Sequence, residues 1–126
     1  MVEVMETDLI ARIVLFITMG GSGAAIIWMA RAAASGKLKR NSLAGIRTPT
    51  TMASDEAWLA AHVRAKRPTL VAGYVACVIA ACTLLPISTT ALTIGVLIGA
   101  VLMLLVMLWA TRVGTKVAVA VADTAR

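Results

Sequence analysis

Three apolar stretches, Leu9–Ala30, Thr69–Leu85 and Thr90–Thr111, dominate this chain, and a single long polar segment, Gly36–Arg67, interrupts them. At a rise of about 1.5 Å per residue, stretches of this length cross the roughly 30 Å hydrocarbon core of a bilayer. With 60% apolar residues and a mean hydropathy of +0.92, the chain has far more apolar surface than a soluble domain of 126 residues could bury. The expected fold class is an all-α integral membrane protein: three transmembrane helices and a loop containing a short amphipathic helix. One compact membrane domain, residues 1–126, leaves no room for a separate soluble domain.

The ends of the spans are marked locally. The first stretch carries one charge, Arg12, and the leader before it is acidic (Glu3, Glu6, Asp8), the opposite of a cleaved signal. It is read as a retained helix continuing through Arg31 to Ser35, over about 9–35, with Gly36 supplying the left-handed residue that closes it. The second stretch follows Pro68, favoured in a first helical turn, and ends at Pro86, which predicts a helix over about 69–85. Only PIST separates it from the third, about 90–111, so these two helices are antiparallel neighbours. Residues 112–126 form a tail.

Eight of the twelve Lys and Arg residues lie in the polar segment and its flanks: Arg31, Lys37, Lys39, Arg40, Arg47, Arg64, Lys66 and Arg67. Three more, Arg112, Lys116 and Arg126, lie in the tail, whereas the turn between the second and third spans has none. The positive-inside rule therefore predicts a cytoplasmic loop and C-terminus in a bacterial inner membrane, with the N-terminus outside. Attraction to anionic lipid headgroups, about 1 kcal/mol per basic residue near the surface, accounts for the net charge of +6 without nucleic acid as a partner.

Lipid gives helices little hydrophobic reason to associate, so small residues mark where backbones approach. Gly20, Gly21 and Gly23 cluster in the first span, Gly73 sits beside Ala72, Ala76 and Ala80 in the second, and Gly95 and Gly99 form a GxxxG pair in the third. Gly20, Gly23, Gly73, Gly95 and Gly99 are the expected packing positions, inside the monomer or in a homo-oligomer or larger membrane complex. A helix break at the Gly20–Gly23 cluster is a further reading.

Ion and proton pathways normally place charged groups within the bilayer, and no span carries one at mid-depth. Arg12, near one end of its span, is expected to snorkel to the headgroups. Cys77 and Cys82, five apart on one helix, do not face each other, and the single histidine, His62, has no Cys or carboxylate at metal-ligand spacing. No nucleophile elbow, phosphate loop or HExxH occurs, so neither an enzyme nor a cofactor or metal site is expected.

Within the polar segment, Asn41–Ala53 reads as turn and loop, and Ser54, followed by Asp55 and Glu56, reads as the N-cap of a short helix over about 55–65. Trp58 and His62 share a face of that helix at i and i+4, facing the membrane interface or the protruding end of the first helix. Asn41, then Gly45-Ile46-Arg47-Thr48-Pro49 with Thr51, followed by Ser54, Glu56, Trp58 and His62, resembles the signature of the SdpI family of bacterial membrane proteins. The resemblance is strongest over about 25 residues and covers only the C-terminal part of the family's best-known member. It departs at Thr50, where an aromatic is frequent, at His62, where Asn is common, and at Ala65-Lys66, where a Gly often follows. It implies a multi-span inner-membrane protein; that member gives immunity to a secreted toxic peptide and holds a transcriptional repressor at the membrane.

The ligand or partner site is therefore expected among Asn41, Arg47, Thr48, Pro49, Glu56, Trp58 and His62. In one reading Arg47 pairs with Glu56 and folds the loop, with Trp58 and His62 packed beneath or anchored at the interface. In the other, Arg47, Trp58 and His62 line a pocket for a headgroup or a toxin peptide. The leading function is immunity to a membrane-active peptide; the alternative is an accessory subunit docked on a larger membrane complex.

Overall fold

The computed structural model describes residues 2–126 and contains three helices, α1 (Val2–Ala34), α2 (Asp55–Cys82) and α3 (Thr89–Thr124), with no strand among the described residues. All three are long and apolar enough to cross a membrane. The order is not triangular. α2 packs along both α1 and α3, whereas α1 and α3 scarcely touch each other. Along α3 the large apolar residues Leu97, Ile98, Val101, Leu102, Leu104, Leu105 and Leu108 are all exposed, a continuous apolar surface of the kind a bilayer covers.

The central place of α2 follows from a ladder of small residues. Ala57, Ala61, Ala65, Ala72, Ala76 and Ala80 are all buried, spaced so that they repeat along the helix. Ala76 and Ala80 meet Met19 of α1, while Ala57 and Ala61 meet Ala118 of α3 and Ala65 meets Ala110. Such contacts bring backbones together, the main source of helix association in lipid.

Helix bounds differ from the sequence reading: α1 begins at Val2 and not at about 9, and two further differences have a packing reason. The short helix over 55–65 and the span over 69–85 are one continuous helix, with Pro68 inside it. An interior proline removes a helical hydrogen bond at a cost of about 3 kcal/mol, but both halves share the buried alanine face, and packing of that face holds the helix straight through. The third span does not end at 111, and most of the expected tail is helical: α3 runs on to Thr124 because Gly114 and Ala118 continue its small-residue face onto α2. A Cβ on Gly114 would lie 2.9 Å from the Ala61 carbonyl. At the other boundary α1 ends as expected, with Gly36 at φ +82 and the Leu38 N–H donating to the Ala32 carbonyl at 2.9 Å.

The glycines divide by surroundings. A Cβ on Gly23 would sit 2.8 Å from the Gly73 carbonyl, and one on Gly73 would sit 3.2 Å from the Gly23 carbonyl, so the α1 and α2 backbones come close together at these two glycines. Gly20 faces Ala80, and Gly99 faces Ile79. Gly95, expected at a packing face, has nothing near it; its GxxxG spacing places only Gly99 against α2. α1 is unbroken through Gly20–Gly23, which removes the helix-break reading.

Arg12 also departs from expectation. Rather than snorkelling, its guanidinium donates to the carbonyls of Thr83 and Leu85 at 3.0 Å each and to that of Ile87. The end of α2 leaves carbonyls without helical donors, and the α2–α3 turn presents them to Arg12. Asp8, 3.9 Å from Arg12, accepts from the Thr89 hydroxyl and joins α1 to the start of α3.

Candidate functional site

At the opposite end, residues 35–54 fold over the helices as a compact cap. Ser54 starts α2 by accepting from the Ala57 N–H at 3.0 Å, and Asp55 and Glu56 occupy the first turn. Asn41 forms a turn around itself: its side-chain oxygen accepts from the N–H groups of Leu43 and Ala44, and its amide donates to the Lys39 and Ala44 carbonyls. Thr48 and Thr51 lock the following turn. The Thr51 hydroxyl, fully buried, donates to the Ile46 carbonyl at 2.7 Å and accepts from the Thr48 N–H at 2.9 Å. Pro49, exposed, begins that turn and keeps Thr48 extended.

The GIRTP segment is pinned to α2 from inside. Gly45 adopts φ +107, and a Cβ there would fall 2.5 Å from Trp58 and 2.8 Å from the His62 ring nitrogen Nε2, so glycine is required both for backbone and for space. Next to it, the Ile46 N–H donates to His62 Nε2 at 2.8 Å. Nε2 is therefore an acceptor, the proton sits on Nδ1, and Nδ1–H donates to the Trp58 carbonyl at 2.8 Å. The Trp58 and His62 rings lie with centroids 4.2 Å apart, and the Trp58 indole N–H donates to the Leu38 carbonyl at 2.9 Å. Both residues sit in the charged half of α2, Asp55–Arg67, beyond its apolar stretch. Burial pushes the His62 pKa below its ordinary 6.5, opposed by the hydrogen bond to Trp58.

Trp58 is thus not an interfacial anchor: it is 3% exposed and faces the cap. The expected Arg47–Glu56 pair is not formed. Arg40 takes the acidic partner instead, donating to Asp55 at 2.8 Å and to the Met52 carbonyl, because the loop returns to α2 at Asp55. Glu56 is exposed, with no ion pair among the described residues. Arg47 uses only Nε, donating to the Asn41 carbonyl at 3.0 Å, and its two terminal nitrogens make no hydrogen bond among the described residues.

Beneath GIRTP lies a cavity of about 160 Å³ reached by all three helices: Met29 and Ala30 of α1, His62, Ala65, Lys66 and Thr69 of α2, Met107 and Thr111 of α3, closed by Gly45–Thr48. Arg47, Thr48 and His62 of the expected site line it; Asn41, Pro49, Glu56 and Trp58 do not. Lys66, Thr69 and Thr111 were missed by sequence reasoning, since only the packing of three helices brings them together. No His, Cys, Asp and Glu cluster capable of holding a metal occurs among the described residues, and Cys77 and Cys82 are free and half-buried.

A model of the SdpI/YfhL protein family matches residues 37–111, more than half of the chain. The chain belongs to the SdpI/YfhL family. The match begins in the cap and covers α2 and α3 to Thr111, and so contains every cavity residue except Met29 and Ala30 of α1. No curated protein and no solved structure matches the chain.

Proposed function

We propose that this SdpI/YfhL-family protein sits in the bacterial inner membrane and protects the cell against a membrane-active peptide, without catalysing a reaction. The observation that carries the reading is the family match over 37–111, which includes the GIRTP cap. That cap is fixed by buried polar contacts while the tip of Arg47 is left free for recognition. The Lys and Arg asymmetry supports a cytoplasmic cap and C-terminus.

Deleting the gene and challenging the cells with a panel of membrane-active peptides tests this. Increased sensitivity to at least one peptide, restored by re-expression, is the expected result; unchanged sensitivity across the panel removes the proposal. An accessory-subunit role is the second reading, favoured by Gly95, which faces outward and leaves a small-residue spot on α3 unused within the chain. Co-purification in mild detergent with a stoichiometric large partner would support it.

A further inference from the structure

The cavity under GIRTP is built unequally. Met29, Ala30 and Met107 contribute its apolar lining, whereas Arg47, Lys66 and Thr69 contribute polar groups. Thr69 is only 4% exposed, yet its hydroxyl makes no hydrogen bond among the described residues. Helical threonines ordinarily satisfy their hydroxyls on a preceding carbonyl, as Thr111 does on Met107 at 2.9 Å, whereas that of Thr69 is left to the cavity. The Thr69 hydroxyl is thus a donor available to a cavity occupant.

The charges specify that partner. No Asp or Glu lines the cavity, and neither Arg47 nor Lys66 forms an ion pair there. His62 adds no cation, because its Nε2 is occupied as an acceptor for the Ile46 N–H. Two cations and a hydroxyl donor around a small space match a phosphate oxyanion, and a free guanidinium fork suits it best. At about 160 Å³ the cavity is below the roughly 300 Å³ at which drug-sized ligand pockets begin, so it takes a headgroup and not a folded peptide. Its apolar walls, on helices that run on through the membrane, suit the ester end of a lipid.

We propose that this cavity binds the phosphate of an anionic phospholipid, with Arg47 and Lys66 supplying charge and Thr69 a hydrogen bond, and with the glycerol end against Met29 and Met107. The site shares Arg47 with the proposed peptide recognition, and the two are told apart because lipid retention is read on purified protein and protection in cells.

The test uses the full-length chain purified in detergent, with phosphatidylglycerol retention measured by native mass spectrometry and thermal stabilisation measured against phosphatidylcholine and inorganic phosphate. Wild type is expected to retain one phosphatidylglycerol per chain. Thr69→Val, which changes no charge, and Arg47→Gln, at an exposed residue, should each weaken retention about tenfold, as loss of one partner to a charged group implies. Lys39→Gln, an equal change of charge outside the cavity, should leave retention intact. Equal retention by wild type and Thr69→Val, or an equal loss with Lys39→Gln, would show diffuse attraction and overturn the site. Stabilisation by inorganic phosphate without lipid retention would overturn the lipid assignment, as would Arg47-dependent binding of a membrane-active peptide in its place.

Discussion

His62 Nε2 accepts the backbone N–H of Ile46 at 2.8 Å, and this one bond joins the GIRTP turn to the helix beneath it. The acceptor exists only while the imidazole is neutral. Protonation would place an N–H against an N–H and leave the buried Ile46 donor unpaired, a loss of about 1–3 kcal/mol.

The first prediction is therefore a pH dependence. Burial lowers the folded-state pKa of His62 below 6.5, so at mildly acidic pH the unfolded chain binds more protons than the folded one. The stability from neutral His62 is complete above about pH 6.5 and declines as pH falls from there through the lower folded value. Thermal unfolding in detergent across that range, with tryptic cleavage at Arg47 as a local readout, should show the cap loosening in acid. His62→Asn should flatten the dependence; a curve of the same shape in that variant would assign it to other groups.

Gly45→Ala should be the most damaging single substitution in the cap. The new Cβ would meet Trp58 and His62 at 2.5 and 2.8 Å with the backbone at φ +107, and overpacking of this kind costs about 1–3 kcal/mol before strain is added. Gly36→Ala, at φ +82 but with nothing nearby, should cost only the roughly 1–2 kcal/mol of a left-handed residue. A melting temperature lowered equally in both would argue against close packing around Gly45.

Between α1 and α2, Gly23 and Gly21 make an internal pair of controls. A Cβ on Gly23 would lie 2.8 Å from the Gly73 carbonyl, and backbone cannot move aside cheaply, whereas Gly21 faces open space. Gly23→Ala should lower the melting temperature in detergent. Gly21→Ala should leave it unchanged or raise it, by up to about 1 kcal/mol of helix propensity. The reverse order would misplace the α1–α2 contact.

Much of this architecture was legible in the sequence because lipid imposes a simple rule: apolar runs of span length become helices. Misreadings arose where a local signal competed with packing. Pro68 is a sound helix-start signal, but the alanine face from Ala57 to Ala80 carries the helix through it. Gly114 and the short-chain residues after it look like a tail until Ala61 and Ala57 are found against them. In the site, Trp58 and His62 were placed on one face by their spacing alone. Which acid the loop would meet was not legible: Arg40–Asp55 and Arg47–Glu56 are equally complementary in charge, and only the path of the loop favours the first. That Thr69 joins Arg47 and Lys66 around one cavity is a property of three packed helices and leaves no trace in the sequence.

Arg47 gives the most direct test of the central claim, that the cap serves recognition and not only stability. Its side chain is exposed and makes one hydrogen bond, to the Asn41 carbonyl, so Arg47→Ala should cost at most about 1 kcal/mol. Survival of cells challenged with a peptide against which the wild type protects should be measured beside membrane abundance. The account predicts lost protection at unchanged abundance. Full protection by Arg47→Ala, or a loss of protection that merely follows a loss of abundance, would contradict it.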